Sequence, residues 1–272
     1  MTGKPNNLLD LTGKVVVVVG GGSVAPGWSI GRAACVTYAR QGAHVCVLDR
    51  DIDSALETVH LIENEGGTSE AHAADVAFEV DTTAVFEKVL QAHKCIDVLH
   101  YNVGIGKTGG AMETTLEDWD RINTVNVRAL LHCTQLVLPS MLQNGGGNII
   151  AISSVAGQRY IGYPHLAYSV TKASVIQLIR MIAQQYAVQG IRANTVVPGL
   201  IDTPRIATTV AKMFNENDLD AAKQARANQV PMKRMGSAWD IANACAFLAS
   251  DASAYVTGTE IVVDGGISGK YC

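Results

Sequence analysis

The chain has no run approaching the ~20 consecutive apolar residues that a membrane-spanning helix requires. Its opening segment, Met1 to Lys14, is polar and lacks an apolar stretch ahead of a small-residue cleavage site. No secretory signal is expected, and the expected compartment is cytoplasmic. Charge is sparse at 17%, and the formal net charge is −4, which removes any general attraction to nucleic-acid phosphates or anionic lipid. No nucleic-acid or membrane partner is expected. Six cysteines (Cys35, Cys46, Cys95, Cys133, Cys245 and Cys272) occur without a C-x-x-C pair and without His at the local spacing of a metal motif. Reduced, mostly buried thiols and no metal are the expectation. Repeats, low-complexity tracts and linkers are missing as well, so residues 1–272 read as one domain.

What the chain does have is a regular alternation of two kinds of segment. Lys14 to Val19 is a β-branched run, too short for a helix and without polar alternation, as a parallel strand buried on both faces requires. Further strands are predicted at Ala43–Leu48, Ser69–Ala73, Ile96–Tyr101, Asn148–Ser153, Ile191–Val197 and Glu260–Val263. Helical patterns fall between them, the longest at Leu116–Leu142 and Leu166–Val188. The fold class predicted is α/β, a single-domain doubly wound (Rossmann-like) parallel sheet of about seven strands with helices on both faces. Residues 203–235 are polar, helix-prone and strandless, which suits a lid over a substrate.

The first strand runs into Gly20-Gly21-Gly22-Ser23-Val24-Ala25-Pro26-Gly27-Trp28-Ser29-Ile30-Gly31 and then a helix. Glycines there let the backbone approach a pyrophosphate, whose charge is favoured by the free N–H groups and dipole of the helix start. The second strand ends in Asp49, eighteen residues past Gly31, where a dinucleotide fold places the acid that takes the adenosine ribose hydroxyls. An acid there repels a 2′-phosphate, and Gly20 to Ile30 contains no Lys or Arg to attract one, so NAD is favoured over NADP; Arg50 next door keeps the choice open. Asn102-Val103-Gly104, at the end of another strand, suits a tight turn close to a ligand.

Tyr168 and Lys172 are i and i+4 on a helix and so lie on one face. A phenol with a pKa of about 10 is a poor base near neutrality, but a cation ~4 Å away at a dielectric of ~20 is worth about 4 kcal/mol, or ~3 pKa units. A Ser hydroxyl from the preceding strand end, Ser153 or Ser154, can hold a substrate oxygen beside it. The set suits proton exchange with an alcohol or ketone.

Taken in order, the glycine-rich turn, Asp49, Asp75-Val76, Asn102-Val103-Gly104, Asn126-Val127, Ser153-Ser154, Tyr168-x-x-x-Lys172, Pro198-Gly199 with Thr203, and Val263-Asp264-Gly265-Gly266 resemble the short-chain dehydrogenase/reductase family over nearly the whole chain. The resemblance implies a catalytic set of Asn126, Ser154, Tyr168 and Lys172. In it Tyr168 is the acid/base, Lys172 its helper and a ribose ligand, Ser154 the orienter of the substrate oxygen, and Asn126 the support of a water-mediated relay. It implies cofactor contacts from Gly21, Gly22, Ser29, Ile30, Asp49, Asp75, Val76, Asn102, Gly104, Tyr168, Lys172, Ile201 and Thr203. Three departures stand out. The first turn, with Gly20 in the family's Thr place and Ser29 in the middle Gly place, is about four residues longer than usual, and Ser29 is expected as helix cap or phosphate ligand. Tyr101 replaces the more usual Asn. Ser154 to Tyr168 is one residue longer. The reading is an NAD-dependent oxidoreductase interconverting a secondary alcohol and a ketone, without a metal. Its alternatives are an enoyl-thioester reductase, since a longer first loop ending in Ser-Ile also occurs there, and a non-catalytic NAD-sensing protein. Expected substrate-lining residues are Gln158, Arg159, Tyr160, Tyr163, His165, Leu200, Arg205 and Met213. The resemblance also suggests a homotetramer packed through the two long helices.

Overall fold

The computed structural model describes residues 8–206 and 219–270. In chain order the elements are β1 (Val15–Val19), α1 (Ile30–Arg40), β2 (His44–Asp49), α2 (Ile52–Asn64), β3 (Thr68–Ala73), α3 (Glu79–His93) and β4 (Val98–Tyr101). Then follow α4 (Leu116–Asn123), α5 (Ala129–Gln143), β5 (Gly147–Ile152), α6 (Leu166–Tyr186) and β6 (Ile191–Pro198). The chain closes with β7 (Ile201–Asp202), α7 (Leu219–Gln229), β8 (Gly236–Ser237), α8 (Ala238–Ala249) and β9 (Glu260–Val263). Seven strands form one parallel sheet in the order β3-β2-β1-β4-β5-β6-β9, and β7 pairs with β8 apart from it. The winding reverses between β1 and β4, which opens a crevice at the carboxyl ends of those strands.

The apolar strand runs are explained by the two faces they serve. Val16 and Val18 of β1 and Val45 and Val47 of β2 pack with α1 and α8 in one core. Val17, Val19, Cys46 and Leu48, which alternate with them, join α3, α5 and α6 in the other. Side chains at successive strand positions point to opposite faces, so a strand covered on both sides must be apolar throughout. Helix starts are fixed locally: Ser29 caps α1, Thr115 caps α4, and Ser237 with Asp240 forms a reciprocal capping box on α8.

Two expectations need amendment. The single helix predicted over Leu116–Leu142 is interrupted by a π-helical turn at Thr124–Arg128, so it is two helices, α4 and α5. Tyr101 anchors that turn from the sheet by donating its hydroxyl to the Val125 carbonyl. Of the expected lid at 203–235, residues 207–218, including Met213, lie outside the described residues, and α7 occupies part of the remainder.

Candidate active site

The crevice at the strand ends is a cavity of about 940 Å³. Its floor comes from the first turn, and the geometry of that turn depends on missing side chains. A Cβ on Gly31 would sit 1.9 Å from the Gly20 carbonyl oxygen, so only glycine lets α1 start this close to the end of β1. Asn102 closes the same turn from β4 by donating Nδ2 to the Gly20 carbonyl at 2.9 Å. The longer loop does not disturb the helix start. Ser29 accepts from the Arg32 amide at 3.1 Å as the N-cap and donates its hydroxyl to the Gly22 carbonyl at 2.6 Å, which fastens the two ends of the loop together.

Asp49 also holds this loop. Its Oδ2 accepts the Gly22 amide at 2.9 Å and its Oδ1 the Asp51 amide at 3.2 Å. Gly22, Ser29, Ile30, Asp49, Asp75, Val76, Asn102, Gly104, Ile201 and Thr203 all line the cavity. Gly21 does not. It is buried where a Cβ would meet Val47 and Cys35, so its part is to let β2 and α1 pack behind the turn.

At the other end of the cavity stand Ser154, Tyr168 and Lys172. The choice between the two serines is made by their partners. Both line the cavity, but Ser153 is buried and donates Oγ to the Lys172 carbonyl at 2.7 Å, whereas the half-buried Ser154 uses only its oxygen, accepting the Ala156 amide at 3.2 Å. Lys172 is buried, with Nζ 2.8 Å from the Ile152 carbonyl and 5.7 Å from the centre of the Tyr168 ring. Burial first, and the positive charge of Arg205 second, push its amine down to about 7. A Cβ on Gly104 would lie 2.8 Å from that Nζ, so glycine is what admits the lysine head.

Asn126, in the π-helical turn, is wholly buried and does not line the cavity. Its Oδ1 accepts the Ile105 amide at 2.8 Å, and its Nδ2 donates to the Ile105 carbonyl and to Thr171 Oγ1, both at 2.9 Å. The side chain ties the turn after β4 to the turn of α6 next to Lys172.

Of the expected substrate-lining residues, Tyr163, His165, Leu200 and Arg205 face the cavity. Gln158, Arg159 and Tyr160 do not: Gln158 donates to Glu260, Arg159 reaches the Ile267 carbonyl, and Tyr160 is largely exposed. The His165 ring stacks on Tyr168, centroids 4.6 Å apart, and burial followed by Arg205 holds the imidazole at about 4, hence neutral at pH 7. Arg205 itself donates to the Gly104 carbonyl at 3.0 Å. Arg226 and Gln229 of α7 also line the cavity, with Arg226 Nε buried and without a hydrogen-bond partner. Sequence reasoning missed both; the available signal was a cation on a helix within the segment assigned as a lid.

A family profile described as enoyl-(acyl carrier protein) reductase matches residues 24–268. An uncharacterized short-chain type dehydrogenase/reductase of Sinorhizobium fredii is 38% identical over 94% of this chain and 98% of its own length. The chain belongs to the short-chain dehydrogenase/reductase family. Solved structures of other proteins superpose closely. A candidate NAD(P)-dependent gluconate 5-dehydrogenase from Beutenbergia cavernae, with bound NADP, is 31% identical with a TM-score of 0.86, covering 97% of this chain and 100% of that one. A 7α-hydroxysteroid dehydrogenase in complex with NADH and 7-oxo glycochenodeoxycholic acid is 30% identical with a TM-score of 0.87, covering 97% and 98%. As a short-chain dehydrogenase/reductase the protein is an oxidoreductase, and the residues lining its cavity fit a nicotinamide dinucleotide. Gly22 and Gly104 line the cavity at places where a Cβ would collide with Ser54 and Asp49 or with Lys172, and Asp49 stands at the end of β2.

Proposed function

We propose that the protein interconverts a secondary alcohol and a ketone with NAD as hydride carrier. The observation that carries this reading is the convergence of Ser154, Tyr168 and Lys172 on the end of the cavity opposite Asp49. When bound, the cofactor supplies or accepts the hydride. The protein's own groups manage the oxygen. Ser154 offers its hydroxyl proton to the substrate oxygen, and Tyr168 exchanges a proton with it. Lys172, held by the Ile152 carbonyl, keeps two N–H bonds in its protonated form for the ribose and for the Tyr168 hydroxyl. Asn126, occupied by Ile105 and Thr171, serves the expected relay by fixing the backbone around Lys172. Preference for NAD over NADP rests on the Asp49 carboxylate, which repels a 2′-phosphate; relatives carrying either cofactor are known, so the acid on this chain is what argues the choice.

The experiment is a panel of secondary alcohols, hydroxysteroids, polyols and hydroxy acids, each with NAD and NADP, followed by the absorbance of reduced nicotinamide. Hydroxy acids belong in it because Arg205 and Arg226 line the cavity. Tyr168→Phe should abolish turnover while NAD binding persists; full activity in the folded variant would sink the mechanism. A second reading is favoured by the enoyl reductase description of the matched profile. Reduction of a crotonyl thioester without any alcohol or ketone activity would establish it instead. NAD binding with silence on both substrate classes would support a sensor. The homotetramer remains part of the reading, with α5 and α6 as its packing helices.

A further inference from the structure

Away from the cleft, four chemistry-bearing side chains separated widely in sequence come together. His44 and Cys46 lie on β2, two residues apart and so on one face, and Glu70 is the register partner of Cys46 on β3. His93, the last residue of α3, covers them. The His44 and His93 rings are 4.5 Å apart between centroids. Glu70 Oε1 is the hub: His93 Nε2 and Cys46 Sγ each lie 3.2 Å from it, and His72 Nε2 lies 3.1 Å away in a direction that makes no hydrogen bond. One ligand atom from each of His44, Cys46, Glu70 and His93 falls within 4.8 Å of the other three. Hydrogen bonding alone leaves this cluster incomplete, because His44 Nε2 is buried with no partner.

We propose that His44, Cys46, Glu70 and His93 form a structural site for a borderline-soft divalent cation, zinc in the first place. Two imidazoles, a thiolate and a carboxylate make a four-coordinate set that zinc accepts and that magnesium or calcium, which prefer all-oxygen shells, does not. Zinc–ligand bonds of about 2.0–2.3 Å put tetrahedral ligands roughly 3.4–3.8 Å apart, so side-chain rotation has to close the present spread by only about an ångström. The groups are poised for it. Burial, then His93, keep the His44 imidazole below its ordinary value and so neutral with a free lone pair. Burial opposes ionisation of Glu70, but the imidazoles and thiol crowded on it win and hold its carboxyl at about 2. Cys46 stays protonated until the metal binds, since burial and then Glu70 raise its thiol; on binding, the S–H bond breaks, the sulfur–metal bond forms and the proton passes to solvent. Glu70 and His93 are partly exposed and provide the way in. The site would clamp the edge strand β3 and the end of α3 to β2, at the end of β2 remote from Asp49.

The test is titration of the metal-stripped full-length chain with Co²⁺ and with Zn²⁺. One equivalent of Co²⁺ should give a thiolate-to-cobalt charge-transfer band together with the strong visible bands of a tetrahedral ion, and Zn²⁺ should displace it. Cys46→Ser should abolish the charge-transfer band, whereas Cys95→Ser should leave it intact. His93→Gln, at a helix end and tolerant of change, should weaken zinc binding by more than roughly a hundredfold, since even outer partners of a ligand are worth 10–100-fold. Zinc should also raise the thermal midpoint of the wild type and not of Cys46→Ser. No cobalt spectrum in the wild type, or a thiolate band that survives Cys46→Ser, would overturn the proposal. Should Cys46→Ser fail to fold, unchanged zinc affinity in His93→Gln overturns it equally.

Discussion

Burial sets the Lys172 amine at about 7 against an ordinary value of 10.5, and this one residue links the stability of the free protein to its chemistry. The unfolded chain keeps the proton up to about 10.5 and the folded chain only to about 7. Between those values the unfolded state binds more protons, so stability rises with pH across that window, and below about 7 the cost of the buried ammonium is complete. At ~1.4 kcal/mol per pKa unit the swing is on the order of a few kcal/mol. Urea unfolding at pH 7 and at pH about 9.5 should therefore show the wild type gaining stability relative to Lys172→Met as pH rises; parallel behaviour of the two would mean the amine is not desolvated as described. That Tyr168 and Lys172 share a helix face was legible from their i, i+4 spacing, while the role given to the pair came from the resemblance of the whole chain. The burial of the lysine was not, because it depends on Gly104 and Ile152, which come from two other strand ends.

Among the elements, the π-helical turn at Thr124–Arg128 decides where Asn126 goes. Nothing in Thr124-Val125-Asn126-Val127-Arg128 announces it: there is no Gly or Pro, and the helical pattern runs through it, while Pro139 farther on sits inside α5 without ending it. The sequence clue was Tyr101, noted as a departure from the family, whose hydroxyl takes the Val125 carbonyl. Tyr101→Phe leaves that buried carbonyl without its donor and should cost roughly 1–3 kcal/mol in denaturant unfolding. If the turn positions Lys172 through Asn126, turnover should fall beyond what lost stability explains, measured well below the unfolding transition. An unchanged rate would confine the turn to a structural part.

Across the whole molecule, the strand positions were readable because a parallel sheet covered on both faces leaves continuous apolar runs, and β1 is a pure valine strand. The cluster of His44, Cys46, Glu70 and His93 was invisible for the opposite reason, since three separate elements supply it and no local spacing encodes it. Quaternary structure belongs to this scale. Leu131 and Leu142 on α5 and Leu166, Val170 and Met181 on α6 are exposed in the single chain. Sedimentation should give a four-chain species, and Leu131→Glu combined with Met181→Glu should shift it to smaller assemblies; a wild-type monomer at catalytic concentration would count against the packing.

Asp49 spends both carboxylate oxygens on backbone amides, one of them the Gly22 amide of the loop that Ser29 and Asn102 also fasten. The same atoms that would exclude a phosphorylated ribose thus hold the floor on which any dinucleotide lies. For a lineage drifting from one cofactor to the other, neutralising this acid loosens the floor in the same step. Such a drift would have to pass through an intermediate poor with both cofactors, or else first acquire another anchor for Gly22, which would make the proposed preference for NAD hard to leave.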